Sequence, residues 1–153
     1  METIVVISPY DVMPPVTGGY VRTHNIVRHL SRRYHVILLH GSYSSYKARC
    51  SHIPVSRIEG VEYVAADPPH RFAQVLNIGL VRKGRGIIKA RRPKVILNEF
   101  IWSGGAALSL HALTGIPYIL DQQNVEFLRL GRSSPMLGWL TKQWEMALCH
   151  NAE

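Results

Sequence analysis

The sequence predicts an α/β domain of Rossmann-like type, an open and mostly parallel sheet with helices on both faces. Short β-branched runs alternate along the chain with segments of helical periodicity, the pattern that places crossover helices between parallel strands. Three of the apolar runs end in hydrogen-bonding residues, as strands do where an open parallel sheet presents a ligand crevice. With 153 residues, 46% of them hydrophobic, the chain can bury one core and forms a single domain.

The first run, Ile4-Val5-Val6-Ile7, is short and β-branched and reads as a buried strand. Pro9 to Arg22, PYDVMPPVTGGYVR, connects it to a helix marked by Thr23, Ile26, Val27, Leu30 and Tyr34. A connection this long and proline-rich inside a compact pattern is functional or disordered. Its glycine pair, Gly18 and Gly19, is ordinary turn chemistry or a place where an anion reaches unpaired N–H groups at a helix start.

His35 to His40 reads as the second strand, the polar stretch from Gly41 to Arg57 as loop, and Val61 to Ala65 as an exposed third strand closed by Asp67-Pro68-Pro69. A basic helical segment from about Arg71 to Arg92, weakened at Gly84 and Gly86, leads into the fourth strand, Val95-Ile96-Leu97. Ser103-Gly104-Gly105 opens a helix that stops at Gly115 and Pro117, and Tyr118-Ile119-Leu120 is the fifth strand. Ser134-Pro135 then caps a last helix with Leu137, Leu140, Trp144 and Leu148 on one side. The run to Glu153 holds no terminating glycine or proline, which suggests a longer protein.

Ser8 and the glycine segment follow strand one, Asn98-Glu99 follow strand four, and Asp121-Gln122-Gln123-Asn124 follow strand five. Any one strand can end in polar residues merely because it reaches water. Together they supply carboxylates, acceptors and amide donors, a set suited to a polyhydroxylated ligand.

The net charge is +8, and Arg82, Lys83, Arg85, Lys89, Arg91, Arg92 and Lys94 fall in a stretch free of acidic residues. Such a segment suits an anionic membrane surface or a phosphorylated lipid, and equally a solvated helix face. It has no interleaved aromatics, helix-turn-helix or RNP pattern, so nucleic acid is not an expected partner. Cys50 and Cys149 have no CxxC or ligand spacing and read as reduced thiols, one buried and one near the surface. The eight histidines form no metal-binding motif, so no metal is expected. The absence of a membrane-length apolar run or signal peptide points to a cytoplasmic address, peripheral to the inner membrane face if the basic segment binds lipid.

Pro15 to Val36, with Gly18, Gly19 and Arg22, resembles the amino-terminal signature of the GT-B glycosyltransferases, in particular the large retaining group 1, or family 4. Gly115-Ile116-Pro117-Tyr118 with Asp121-Gln122-Gln123-Asn124-Val125-Glu126 resembles that family's D-x-H-N-V-E segment, and Trp144-Glu145-Met146-Ala147-Leu148 resembles the helix before the second domain. The resemblance implies that residues 1–153 are the acceptor-side half of a GT-B architecture, the carboxyl-terminal nucleotide-sugar domain lying outside this chain. It implies a hexosyltransferase-type enzyme as a full-length protein, inactive as this domain alone. The activity implied is transfer of a sugar, with retention, from a nucleotide-diphosphate donor to an acceptor hydroxyl without a cofactor. Gly18, Gly19 and Arg22 would meet the donor diphosphate, Asn98, Asp121, Asn124 and Glu126 the acceptor, and Gln123 and Glu99 the reacting groups. Gln123 stands where the family has histidine, and an amide cannot take up a proton at neutral pH. Valine at Gly19 would then cut turnover with little change in melting. A non-catalytic flavodoxin-like ligand- or protein-binding domain is the alternative.

Overall fold

The computed structural model describes residues 1–41, 56–66, 75 and 77–153. Cys50, the Asp67-Pro68-Pro69 closure, most of the Gly41 to Arg57 loop and the start of the basic segment at Arg71 lie outside the described residues.

Five strands form one sheet: β1 (Thr3–Ser8), β2 (His35–His40), β3 (Val61–Ala65), β4 (Val95–Glu99) and β5 (Tyr118–Asp121). Their order is β3-β2-β1-β4-β5 and every neighbouring pair is parallel. The order reverses between β1 and β4, which makes the gap beyond their carboxyl ends the topological switch point.

Helices cover both faces. Helix α1 (Gly18–Leu30) lies over Ile4, Val6, Val36 and Leu38 through Val27. On the other face α2 (Ile78–Arg91) and α3 (Gly104–Thr114) cover Val5, Ile7, Ile37, Leu39 and Ile96 with Leu80, Ile88 and Leu110. Alternate residues of each strand thus fill two cores, as the period-2 geometry of a strand requires. Gly84 does not divide α2. A Cβ there would lie 2.5 Å from Leu110 Cδ1, so the missing side chain is what lets α2 sit against α3.

The caps follow the local chemistry. Thr17 Oγ1 accepts the Tyr20 N–H, Asn77 Oδ1 the Leu80 N–H, and Gly115 ends α3 at a φ of 70°. The glycine pair therefore occupies the first turn of α1, not the loop before it. Ser103 makes no cap bond; its hydroxyl donates to the carbonyls of Glu99 and Phe100.

Helix α4 (Glu126–Gly131), which periodicity does not reveal, packs on α5 (Pro135–Asn151). The last helix departs from the expected stripe. Its buried residues are Gly138, Thr141, Glu145 and Leu148, whereas Leu137 and Leu140 are exposed. The inner face is committed to holding α4: Glu145 Oε1 accepts the Phe127 N–H at 3.1 Å, and a Cβ on Gly138 would lie 2.6 Å from Gly131 Cα.

Candidate functional site

The register brings the polar strand ends to one edge. Ser8 pairs with His40, Ile7 with Asn98, and Glu99 with Asp121, so β1, β4 and β5 deliver their last residues side by side. The first turn of α1 rises over the same edge.

Glu99 is the centre of this crevice and is fully buried. Thr23 of α1 donates its hydroxyl to Glu99 Oε2 at 2.8 Å, and Gln123 Nε2 donates to the same oxygen at 3.3 Å. Gln123 Nε2 also lies 3.2 Å from Thr23 Oγ1 and 3.4 Å from the Gly19 carbonyl. Glu99 Oε1 has no hydrogen-bond partner among the described residues. Burial is the main force raising the Glu99 carboxyl above its ordinary range; the Thr23 and Gln123 bonds pull it back, and Asp121 adds to the rise.

A buried carboxylate oxygen without a partner is costly, so its persistence points to a ligand or proton supplied at this position.

Gly19 packs against this cluster. A Cβ there would lie 2.7 Å from Gln123 Oε1 and 2.8 Å from the Phe100 ring. The resemblance implies little change in melting from valine at Gly19; here its added atoms would meet the protein's own side chains, so a loss of stability is expected instead. Around Gly18, by contrast, nothing lies within 4 Å.

Phe100 follows Glu99 with φ 70° and ψ 150°, a backbone region almost confined to glycine. Its neighbours hold it there: its N–H donates to the Asp121 carbonyl, and its own carbonyl accepts from Asn98 Nδ2 at 2.8 Å and from Ser103. The ring stands 5.1 Å from that of Tyr10, which in turn lies 4.3 Å from Tyr20. Burial also pushes the Tyr10 phenol upward, with Tyr20, Glu99 and Glu126 adding to it.

The remaining candidates divide. Arg22 pairs with Asp121 at 2.5 Å, a half-exposed bridge between α1 and β5. Asn98 and Glu99, as neighbours in a strand, project to opposite faces. Asn98 stays buried with its Nδ2 on Phe100 and its Oδ1 without a partner among the described residues. Asn124 donates to Glu126 Oε1 at 3.3 Å, and Arg129 Nε donates to Glu126 Oε2 at 2.7 Å, a separate network at the start of α4. Sequence reasoning missed Thr23, Tyr10 and Phe100. A hydroxyl at a core position of the α1 stripe was the available signal for Thr23; Phe100 offers none, since its conformation is imposed from outside.

A cavity of about 760 Å³ lies elsewhere, between α2 and β3, lined by Val64, Ala66, Ile87, Arg82 and Lys83 among others. It holds no buried reactive group, and chemistry favours the crevice over volume. Among the described residues no group of three or more His, Cys, Asp or Glu could hold a metal ion.

No protein-family model matches the chain, and no curated protein sequence does. Solved structures share its fold. The carboxyl-terminal domain of the PF1911 hydrogenase from Pyrococcus furiosus is 16% identical, with a TM-score of 0.53 over 78% of this chain and 90% of that one. Phytolacca americana UGT2, complexed with UDP-2fluoro-glucose and pterostilbene, is 16% identical with a TM-score of 0.51 over 84% of this chain. TcCGT1 in complex with UDP is 17% identical with a TM-score of 0.54 over 90% of this chain. The chain spans 32% of the length of each of the latter two. All three share its open, parallel, Rossmann-like α/β fold, which thus occurs both in a hydrogenase domain and in proteins solved with UDP or a UDP-sugar.

Proposed function

We propose that this chain is the acceptor-side, amino-terminal domain of a retaining GT-B glycosyltransferase of the group 1, or family 4, kind. A fold shared by unlike proteins does not assign an activity, so the reading rests on the site. The observation that carries it is Glu99: a buried carboxylate at the switch point, bonded through one oxygen to Thr23 and Gln123 and without a partner at the other among the described residues. Two structures of this fold were determined with UDP or UDP-2fluoro-glucose, which supports a nucleotide-sugar donor here.

In this reading the donor diphosphate lies over the start of α1. First-turn N–H groups have no intrahelical acceptor, the helix dipole favours negative charge there, and the first turn holds no acidic residue to compete. Gly18 leaves open space for the phosphates. Arg22 would exchange its bond to Asp121 for a phosphate oxygen, since guanidinium serves both acceptors. An acceptor hydroxyl sits against Glu99 Oε1, with Gln123 orienting it as a hydrogen-bonding amide. The bond from the sugar to the leaving phosphate breaks, the bond to the acceptor oxygen forms on the same face, and the hydroxyl proton leaves with the diphosphate. Asp121, Asn124 and Glu126 border the acceptor side, and a second nucleotide-sugar domain completes the cleft. The basic face of α2 would bring an anionic lipid-phosphate acceptor or membrane near. Among the described residues no helix is long and apolar enough to cross a membrane.

The test is amide NMR on this chain titrated with UDP, a UDP-sugar and inorganic phosphate. Weak binding of both nucleotides, read as shifts at Gly18, Gly19 and Arg22 and abolished by Arg22→Glu, is expected. Shifts confined to other surfaces, or a response to flavin mononucleotide alone, would replace this reading with the flavodoxin-like one. Transfer of sugar by this domain alone would refute its role as half of a cleft.

A further inference from the structure

Helix α5 is amphipathic the wrong way round for a solvent-facing helix. Its inward face holds Thr141 and Glu145, and its outward face carries Met136 at 68% exposure, Trp139 at 61%, Leu140 at 49% and Met146 at 57%. Met136, Trp139 and Leu140 lie three and four residues apart and Met146 seven from Trp139, so they share one side of the helix, with the exposed Gln143 among them. No carboxylate occurs from residue 127 to residue 144, while Arg132 and Lys142 do; Arg129 is paired with Glu126. Arg132 has no ion-pair partner among the described residues, and the Lys142 ammonium lies 5.8 Å over the Phe127 ring.

We propose that the outward face of α5 docks on the surface of an anionic lipid bilayer. A helix that lies in an interface buries one apolar face among acyl chains and keeps cations at the headgroups, and indole suits that boundary because one end is apolar and the other wet. Each flanking cation near an anionic surface adds attraction that salt screens. A second copy of the chain fits less well. Four side chains on one helix fall short of the roughly 800 Å² per partner that a stable dimer buries, and cations along the flanks would repel across a two-fold axis. This inference is independent of the sugar-transfer reading and does not use the Arg82 to Lys94 segment.

The experiment is co-sedimentation of the purified chain with vesicles of phosphatidylcholine alone or with about one-third phosphatidylglycerol, in low and high salt. Binding to the acidic vesicles is expected. Trp139→Ser with Leu140→Ser should weaken it by about tenfold or more while changing the circular dichroism melt little, because both side chains stand about half or more exposed. The blue shift of tryptophan emission on binding should disappear in Trp139→Phe. Equal binding by the double variant, or its loss only when Arg82, Lys83 and Arg85 become serine, would overturn the proposal in favour of α2. No vesicle binding, with a dimer in the ultracentrifuge that the double variant abolishes, would assign the face to a second copy and equally overturn it.

Discussion

The switch-point crevice and the outward face of α5 break the same rule in opposite directions. In the crevice Ser8, Thr23, Asn98 and Glu99 are buried; on α5, Met136, Trp139 and Leu140 face outward. Buried polar groups are held by neighbours from several elements, Glu99 by a threonine of α1 and a glutamine beyond β5. The α5 side chains stand about half or more exposed. Changes in the crevice should therefore cost stability as well as function, whereas changes on α5 should cost only what it binds.

The largest effect is expected at Gly19. Valine there forces Gln123 and Phe100 apart, an overpacking cost of about 1–3 kcal/mol and a fall of roughly 2–10 °C in the melting midpoint. Gly18→Ala, with open space around the new Cβ, should cost nothing. If both variants melt like the parent, the crevice is as tolerant as α5 and the contrast fails.

Glu99→Gln sharpens the comparison through pH. The Glu99 carboxyl titrates above its unfolded value, chiefly through burial, so the folded state prefers it protonated. That preference is fully present below the unfolded value and is lost as pH rises through the folded one. The glutamine variant removes this loss, so its melting midpoint relative to the parent should climb from acidic to neutral pH. Parallel curves would show that Glu99 does not titrate differently on folding.

A smaller effect belongs to Arg22→Ala. The Arg22–Asp121 bridge is half-exposed on the arginine side, and such pairs contribute at most about 1 kcal/mol. Melts in low and high salt should differ for the parent and converge for the variant. A fall as large as that of Gly19→Val would mean that the bridge, and not the packing beneath it, holds α1 on β5.

Most of the architecture was legible in the chain. His35–His40 and Val61–Ala65 are the strands that β-branched patterning marks out, and Pro135 and Gly115 stand where an amino-terminal proline and a left-handed terminus belong. These are local signals, each read within one turn or one strand. The α5 stripe misled for the same reason: spacing shows that Leu137, Leu140 and Leu148 recur, but not which side α4 will take. Glu145 and Gly138 decided that, by receiving the Phe127 N–H and admitting Gly131.

By itself the sequence determined the alternation of strands and helices, the parallel sheet that follows from it, and the polar character of the strand ends. Hydrophobic period and capping chemistry act over a few residues and are written directly in their order. Only the tertiary structure decided that Thr23, Glu99 and Gln123 share one buried oxygen across separations of 76, 24 and 100 residues. It also decided that Phe100 is held in a glycine-like conformation and that a side chain at Gly19 would meet Gln123 and Phe100. Those facts depend on strand register and on the approach of α1 to β4 and β5, which arise when two cores close at once.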